Sequence, residues 1–245
     1  MKQNDIRKDL RSLSGLLSGW GKYVKNPNML QNLNINEIVK GGDLHYTISV
    51  SEPLTFLRID LDRHCLPSGI EKIPANDIEF EVAMTLLCSE SKEDNAEQDP
   101  IKSLGVNIIV KALYSNGTDL KEANCSWHLD KGSPVGAIFS HPEYHMNFGG
   151  SHMVKQGDIF GNLLLLSSPR IIHPPMDIIL SCDFIIRNFY SKANHRKITE
   201  NPKYLEIIER AKTRYWQPYS KAFFSNWDQD QKVMNLPYKS LIGHH

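Results

Sequence analysis

The sequence predicts an α+β fold, in which an antiparallel meander sheet carries an N-terminal helix and C-terminal helices packed on it. Apolar residues recur at helical spacing near the N-terminus, alternate with polar residues through the middle, and return to helical spacing in the last third. Because strands and helices follow in blocks, one domain over 1–245 is predicted, with segments 1–42 (helical), 43–168 (sheet) and 174–228 (helical).

The N-terminal segment contains two predicted helices. Residues 6–23 carry an apolar stripe at a spacing of about 3.6 residues, with basic side chains off the stripe. Residues 34–39 are predicted as a second, shorter helix, because Gly41-Gly42 follows as a helix-ending signal.

Period-two alternation predicts strands at 44–50, 57–61 and 78–86. Turn signals separate further predicted strands at 104–114, 120–130 and 137–148, and 162–166 is predicted as a short, fully apolar strand. Asn116-Gly117 is a turn signal that predicts a hairpin between the fourth and fifth of them. The stretch 89–100 holds five acidic residues and no large apolar one, so it is predicted to be a mobile acidic loop.

The last third is predicted to be helical. Residues 174–190 are apolar on nearly all sides, which predicts a helix that is largely buried against the sheet. A further helix is predicted from Asn201 with Pro218 as its end, because proline removes a helical hydrogen bond. A short helix at 219–227 is expected to follow it.

Charge and composition exclude two classes of protein. The chain has 28 Lys and Arg against 28 Asp and Glu, so it is not a uniformly basic nucleic-acid binder. With 40% hydrophobic residues, it is not a largely disordered protein either. The charges are nevertheless uneven, because segments 1–25 and 187–221 are both basic. These segments are candidates for contacting nucleic acid or a protein partner, and they are equally compatible with ordinary solvated helix faces.

The compartment is predicted from features that the sequence lacks. No apolar run of about 18 residues occurs, so neither a transmembrane helix nor a membrane partner is expected. The polar N-terminus has no apolar leader, and the four cysteines form no CxxC pair. A cytoplasmic protein with reduced thiols is therefore predicted.

Two neighbouring predicted strands concentrate histidine and acidic residues. His128 and Asp130 lie two residues apart in one strand, and His141, Glu143 and His145 are spaced by two in the next. Because side chains alternate between the faces of a strand, the members of each set share a face. If the strands pair through the short turn between them, all five groups converge.

Two kinds of chemistry fit this histidine cluster. Imidazoles with a carboxylate suit Zn²⁺ or Mn²⁺, and the candidate metal ligands are His128, Asp130, His141, Glu143 and His145. Without a metal, two histidines can act as general base and general acid in phosphodiester cleavage. The candidate catalytic residues are then His128, Asp130, His141, His145 and Arg170.

Phosphate binding requires positive charge or backbone N–H groups near the histidines. Arg170 or Lys155 supplies the charge in this hypothesis, and Gly149-Gly150 supplies backbone N–H groups. The sequence thus predicts a nuclease acting on RNA or DNA. Histidines on a polar sheet face are also ordinary hydrogen-bonded groups, so a non-enzymatic protein-interaction subunit is the alternative.

Residues 105–190 resemble small bacterial toxin-like proteins of toxin–antitoxin and antiviral defence loci. The resemblance rests on Trp127-His128-Leu129-Asp130, on His141-Pro142-Glu143-Tyr144-His145, and on Pro169-Arg170 followed by Pro175-Met176-Asp177. It covers about a third of the chain, and it implies a toxin-like or nuclease-like role.

The order of elements is also similar to that of ubiquitin-conjugating enzymes, which carry a His-Pro motif after an antiparallel meander. Here the motif is His141-Pro142, but Glu143 replaces the asparagine that follows in those enzymes, and no cysteine occurs between His141 and Cys182. This similarity implies a non-catalytic relative that binds other proteins.

Overall fold

The computed structural model describes residues 3–40, 43–60, 76–88, 99–116, 119–132, 143–149 and 171–225. Within these residues the predicted α+β fold is confirmed. The strands are β1 (Asn34–Lys40), β2 (Asp43–Ser49), β3 (Leu54–Leu57), β4 (Asn76–Cys88), β5 (Ile101–Asn116), β6 (Asp119–Lys131), β7 (Tyr144–Phe148) and β8 (Ile171–Ile172). The helices are α1 (Gln3–Ser18), α2 (Ile178–Phe189), α3 (Lys192–Thr199) and α4 (Pro202–Ser225), with a 3₁₀ helix at Pro27–Gln31.

All the described strands belong to one antiparallel sheet in the order β1-β2-β4-β5-β6-β7-β8, and β3 pairs with β4. The predicted hairpin is confirmed, because β5 and β6 pair from Asn116 opposite Asp119 to Gly105 opposite Asp130. The predicted strand 162–166 and residues 89–98 of the acidic loop lie outside the described residues.

The helices pack on one face of the sheet. The ring of Trp127 in β6 lies 5.4 Å from that of Phe189 in α2, and the ring of Tyr144 in β7 lies 5.5 Å from that of Tyr219 in α4. The apolar stripe of α1 is buried in the same core. Its members are Ile6, Leu10, Leu13 and Leu17. The structure is thus two-layered, and the partly buried Trp127 packs against its core.

Helix α2 begins later than predicted. Asp177 is its N-cap, and the carboxylate accepts a 2.8 Å hydrogen bond from the backbone N–H of Leu180. Burial raises the pKa of Asp177 to about 6. The prediction that this helix is largely buried is confirmed, since seven of its twelve residues are buried.

Residues 34–39 form a strand rather than the predicted helix. Ile35, Ile38 and Val39 have the i, i+3, i+4 spacing of a helical stripe. In the structure they belong to β1, which pairs along its whole length with β2. Only Ile35 is partly buried, so the spacing does not report a buried face. Pairing with β2 outweighs local propensity here.

Pro218 does not end its helix, contrary to the prediction. Helix α4 continues through Pro218 to Ser225. The indole Nε1 of Trp216 donates a 2.8 Å hydrogen bond to the carbonyl oxygen of Pro175, and Tyr219 packs on Tyr144. These contacts on either side of the proline hold the helix against the sheet.

Two other boundaries differ from the sequence prediction. Helix α1 ends at Ser18 rather than at residue 23, because Gly19 and Gly21 follow Ser18 and lower the helix propensity. The strand predicted at 57–61 lies earlier, at Leu54–Leu57. No helix among the described residues is long and apolar enough to cross a membrane.

A buried ion pair joins the two ends of the fold. Asp9 in α1 is 2% exposed, and its carboxylate binds both Arg210 and Arg214 of α4 at 2.6–2.9 Å. Within the described residues, Nε and Nη2 of Arg214 are buried without a hydrogen-bond partner. Asp9 is the hydrogen-bonded counter-charge of Arg214, and the buried carboxyl of Asp177 also lies within electrostatic range of it.

Candidate functional site

The pairing of β6 with β7 brings part of the predicted histidine cluster together. Asp130 lies directly opposite His145, and His128 lies opposite Asn147. Since Trp127 and Tyr144 face the helices, alternation turns the side chains of His128, Asp130 and His145 to the opposite face. We call these three residues the His–Asp–His cluster.

The carboxylate of Asp130 lies between the two imidazole rings. Nε2 of His128 is 2.9 Å from Oδ2, and Nε2 of His145 is 2.8 Å from Oδ1. The first contact is an aligned hydrogen bond. The second is a short ion-pair contact, because Oδ1 has no aligned donor among the described residues.

The two rings differ in their access to solvent. The His128 side chain is 33% exposed, whereas that of His145 is 2% exposed. A substrate on this face can therefore reach His128, while His145 holds Asp130 from the buried side. The catalytic role that the sequence predicts for His145 stays a prediction.

The second ring nitrogen of His128 faces Asn107 of β5. Nδ1 lies 2.6 Å from Oδ1 of Asn107. With the amide oxygen facing the ring, both ring nitrogens donate and His128 is a cation. With the amide turned by half a rotation, its NH₂ group donates to Nδ1 and the ring is neutral. Asn107 can thus accommodate His128 with or without the second proton.

Asp130 is ionised under ordinary conditions. Partial burial by itself would raise the pKa of this carboxyl, but its contacts with His128 and His145 outweigh burial and hold that pKa well below its usual range. The carboxylate can therefore accept a hydrogen bond from the Nε2–H of either ring, and it stabilises positive charge on both rings.

Glu143 does not join the cluster. Its carboxylate lies 3.0 Å from Nζ of Lys131, which also binds Asp99 at 2.6 Å. The hydroxyl of Tyr144 donates to Asp99 as well, at 2.5 Å. Burial and the charge of Asp99 raise the pKa of Tyr144 far above its usual range, so that the hydroxyl keeps its proton. This second network anchors the start of β7.

Three predicted site residues, His141, Lys155 and Arg170, lie outside the described residues. Among the residues that the structure does describe, no group of three or more His, Cys, Asp or Glu side chains is placed to hold a metal ion. Binding of Zn²⁺ or Mn²⁺ with His141 as a ligand therefore stays a prediction.

Gly149 does not offer a phosphate-binding N–H. Its N–H donates a 2.8 Å hydrogen bond to the carbonyl oxygen of Ser126, and its own carbonyl accepts from the Ser126 hydroxyl. With φ at +114°, Gly149 occupies a conformation that other residues rarely adopt. It ends β7 as predicted, and its role is structural.

Two asparagines beside His128 were not predicted from the sequence. Asn107 and Asn147 lie directly opposite His128 on its two neighbouring strands, and Oδ1 of Asn147 is buried without a hydrogen-bond partner among the described residues. Only the strand register reveals this row of polar side chains, because Asn107 is distant from the histidine-rich segments in sequence.

No protein-family model, curated protein or solved structure matches this chain. A proposal of its function therefore rests on the geometry of the site.

Proposed function

We propose that the His–Asp–His cluster is the acid–base centre of a metal-independent nuclease that cleaves phosphodiester bonds in RNA or DNA. The observation that carries the proposal is the Asp130 carboxylate between two imidazoles, at 2.9 and 2.8 Å. A carboxylate that orients an imidazole and stabilises its charged form is the arrangement that acid–base catalysis requires.

The three residues have distinct roles in this proposal. His128 is the partly exposed ring that exchanges a proton with the substrate at Nδ1, after the Asn107 side chain moves away from that nitrogen. Asp130 orients the ring through Nε2 and offsets the charge of the cation. His145 holds the carboxylate in place. The Asn107 amide stabilises His128 in both protonation states, which a group that accepts and then donates a proton needs.

Cleavage of mixed-sequence RNA and single-stranded DNA by the purified protein, followed on gels, tests the proposal. His128→Ala and Asp130→Asn are expected to lower the rate by about 100-fold or more, the range over which general acid–base groups contribute. Cleavage is expected to continue in EDTA.

His195→Ala is the matched control, since His195 lies on α3 and its Nδ1 contacts the hydroxyl of Thr199 in the same helix. This variant should cleave at the wild-type rate. An inactive wild-type protein, or wild-type rates for both cluster variants, would refute the proposal. Loss of cleavage in EDTA would instead contradict the metal-free mechanism and favour the predicted Zn²⁺ or Mn²⁺ site.

Docking of an acidic partner or a nucleic acid on the helical layer is a second candidate function. Segments 1–25 and 187–221, both basic, meet on this layer, where Trp20 Nε1 donates a 3.1 Å hydrogen bond to the carbonyl oxygen of Asn194. The layer lies across the sheet from His128. A nucleic acid bound to these helices would therefore occupy a surface separate from the cluster.

A variant that combines Lys192→Ala, Lys197→Ala and Lys203→Ala separates the two functions. These lysines are exposed on α3 and α4. The variant should bind a fluorescent RNA oligonucleotide more weakly than the wild type and with a shallower salt dependence, because fewer counterions are released. Unchanged binding would argue against the basic helices as an interface.

A cytoplasmic location forms part of the proposal. Cys125 and Cys182 are free thiols in the structure, and Cys182 is buried. Free thiols are typical of a reducing compartment.

A further inference from the structure

Strand β1 is an end strand that exposes apolar side chains on both faces. Ile38 is 47% exposed and Val39 is 73% exposed, and the two point to opposite faces because they are adjacent in a strand. Within the described residues, β1 is the end of the strand order. An exposed end strand with apolar side chains is a template for pairing with another strand.

The contacts of β1 show which backbone groups point outward. Nη2 of Arg7 donates a 3.3 Å hydrogen bond to the carbonyl oxygen of Ile35, on the side of β1 that faces away from β2. The carbonyl oxygen of Asn36 instead accepts from the Thr47 hydroxyl on β2, at 3.5 Å. Because the backbone groups of an antiparallel strand alternate in direction, those of Val39 point outward like those of Ile35.

The geometry points to a homodimer in which two copies of the chain pair antiparallel through the end of β1, with Ile38 on the two-fold axis. In this register Ile38 lies opposite Ile38 of the second copy. Val39 lies opposite Glu37 of the second copy, and Lys40 lies opposite Asn36. The interface is isologous, as a two-fold dimer requires.

Charge favours this register over the one centred on Glu37. A shift that places Glu37 on the two-fold axis would oppose two carboxylates, which destabilises a cross-strand pair. With Ile38 on the axis, no like charges are opposed, and the outward backbone groups of Val39 meet those of Glu37 in the second copy. Arg7 ends the ladder at Ile35, since its guanidinium occupies that carbonyl.

The length of the shared ladder sets the strength of the dimer. About five residues from each copy pair, which buries less than the roughly 1,000 Å² typical of a stable biological interface. A weak dimer is therefore expected, and its population should depend on protein concentration between about 1 μM and about 1 mM.

Disulfide trapping tests the register. Residues at a non-hydrogen-bonded antiparallel position have Cα atoms about 4.5 Å apart, within the range that a disulfide spans. Ile38→Cys is therefore expected to give a covalent dimer on mild oxidation. Asn36→Cys is the control, because its two thiols would lie about 13 Å apart along the strands. Wild-type protein controls for the native cysteines.

Sedimentation of Val39→Pro tests the hydrogen bonding. Proline removes the outward N–H of Val39 without disturbing the bonds between β1 and β2, so dimerisation should weaken by at least about tenfold. Val39→Thr keeps the N–H and should dimerise more strongly than Val39→Pro. A wild-type protein that stays monomeric up to about 1 mM, equal dimerisation of both variants, or equal trapping at positions 36 and 38 would overturn the proposal.

Discussion

At the scale of single residues, the carboxylate of Asp130 controls the His–Asp–His cluster. It contacts both imidazole rings, and its side chain is 29% exposed, so solvent weakens but does not abolish the attraction. Because the pKa of Asp130 lies well below its usual range in the folded protein, the ionised carboxylate stabilises the fold.

Asp130→Asn is expected to lower the free energy of unfolding by about 1–2 kcal/mol near pH 5.5, as the loss of a charge-assisted hydrogen bond predicts. The pKa of Asp130 is depressed by folding. Its contribution is therefore complete above the unfolded-state pKa of about 4 and is lost as the pH falls below it.

Urea denaturation near pH 5.5 and near pH 3 measures this effect. Histidines of the unfolded chain are protonated at both values, so the change between them reports the carboxylate. The gap between wild type and variant should shrink at the lower pH. A gap that is constant or grows on acidification would contradict the assignment of an ionised Asp130 in the folded state.

At this scale, the sequence predicts which side chains lie beside one another when they are on the same strand or on consecutive strands. The two-residue spacing of His128 and Asp130 predicts a shared face, and a short connection predicts the approach of His145. Asn107 lies on the preceding strand, and its place beside His128 depends on a register set by the whole hairpin. Burial of His145 depends on tertiary packing, which the spacing does not encode.

At the scale of elements, β1 shows why a helical spacing can mislead. The rule that apolar spacing reports the element assumes that one face is buried. In β1 both faces are largely exposed, so Ile38 and Val39 carry no information about a core-facing side. In β5 the buried side chains Val106, Ile108 and Val110 alternate along the strand, so the spacing there reports the face toward the helices.

The part of α4 beyond Pro218 depends on tertiary contacts. Pro218 lacks the N–H that would donate to the carbonyl oxygen of Arg214 one turn earlier, so the helix is weakened at that point. The ring of Tyr219 meets that of Tyr144 edge-on at 5.5 Å. This aromatic pair docks residues 219–225 of α4 on β7.

Tyr219→Ala is expected to release residues 219–225 of α4 from β7. The aromatic pair contributes about 0.5–1.5 kcal/mol beyond simple burial, so amide hydrogen exchange at residues 219–225 should accelerate. Lys221→Ala is the matched control, since that exposed side chain lies in the same segment, 219–225. Equal exchange in the two variants would show that the Tyr144 contact does not hold this end of the helix.

At the scale of the whole molecule, the Asp9 ion pair joins the first helix to the last. Asp9 and Arg214 are separated by 205 residues in sequence, and their closest atoms lie 2.6 Å apart. The sequence predicts both helices but not this pairing, because nothing local distinguishes Asp9 from the exposed Asp5 one turn before it. Its burial is a property of the assembled core.

Asp9→Asn is expected to destabilise the protein by about 3 kcal/mol, because it removes the hydrogen-bonded counter-charge of the buried Arg214 guanidinium. Glu206→Gln is the control. It removes an exposed partner of Arg210 at 3.8 Å and should cost less than about 0.5 kcal/mol. Urea denaturation of both variants measures the difference, and similar midpoints would contradict a structural role for the Asp9 pair.

The same pair has a consequence for biosynthesis. Helix α1 leaves the ribosome well before α4, which is the last of the described elements in the chain. Asp9 therefore lacks its two arginine partners until α4 has been made, so the contact between these helices forms late. Long-range contacts of this kind slow folding and prolong the exposure of apolar surface. Nascent chains that stop before Arg214 should accumulate as chaperone-bound or aggregated species rather than as folded fragments.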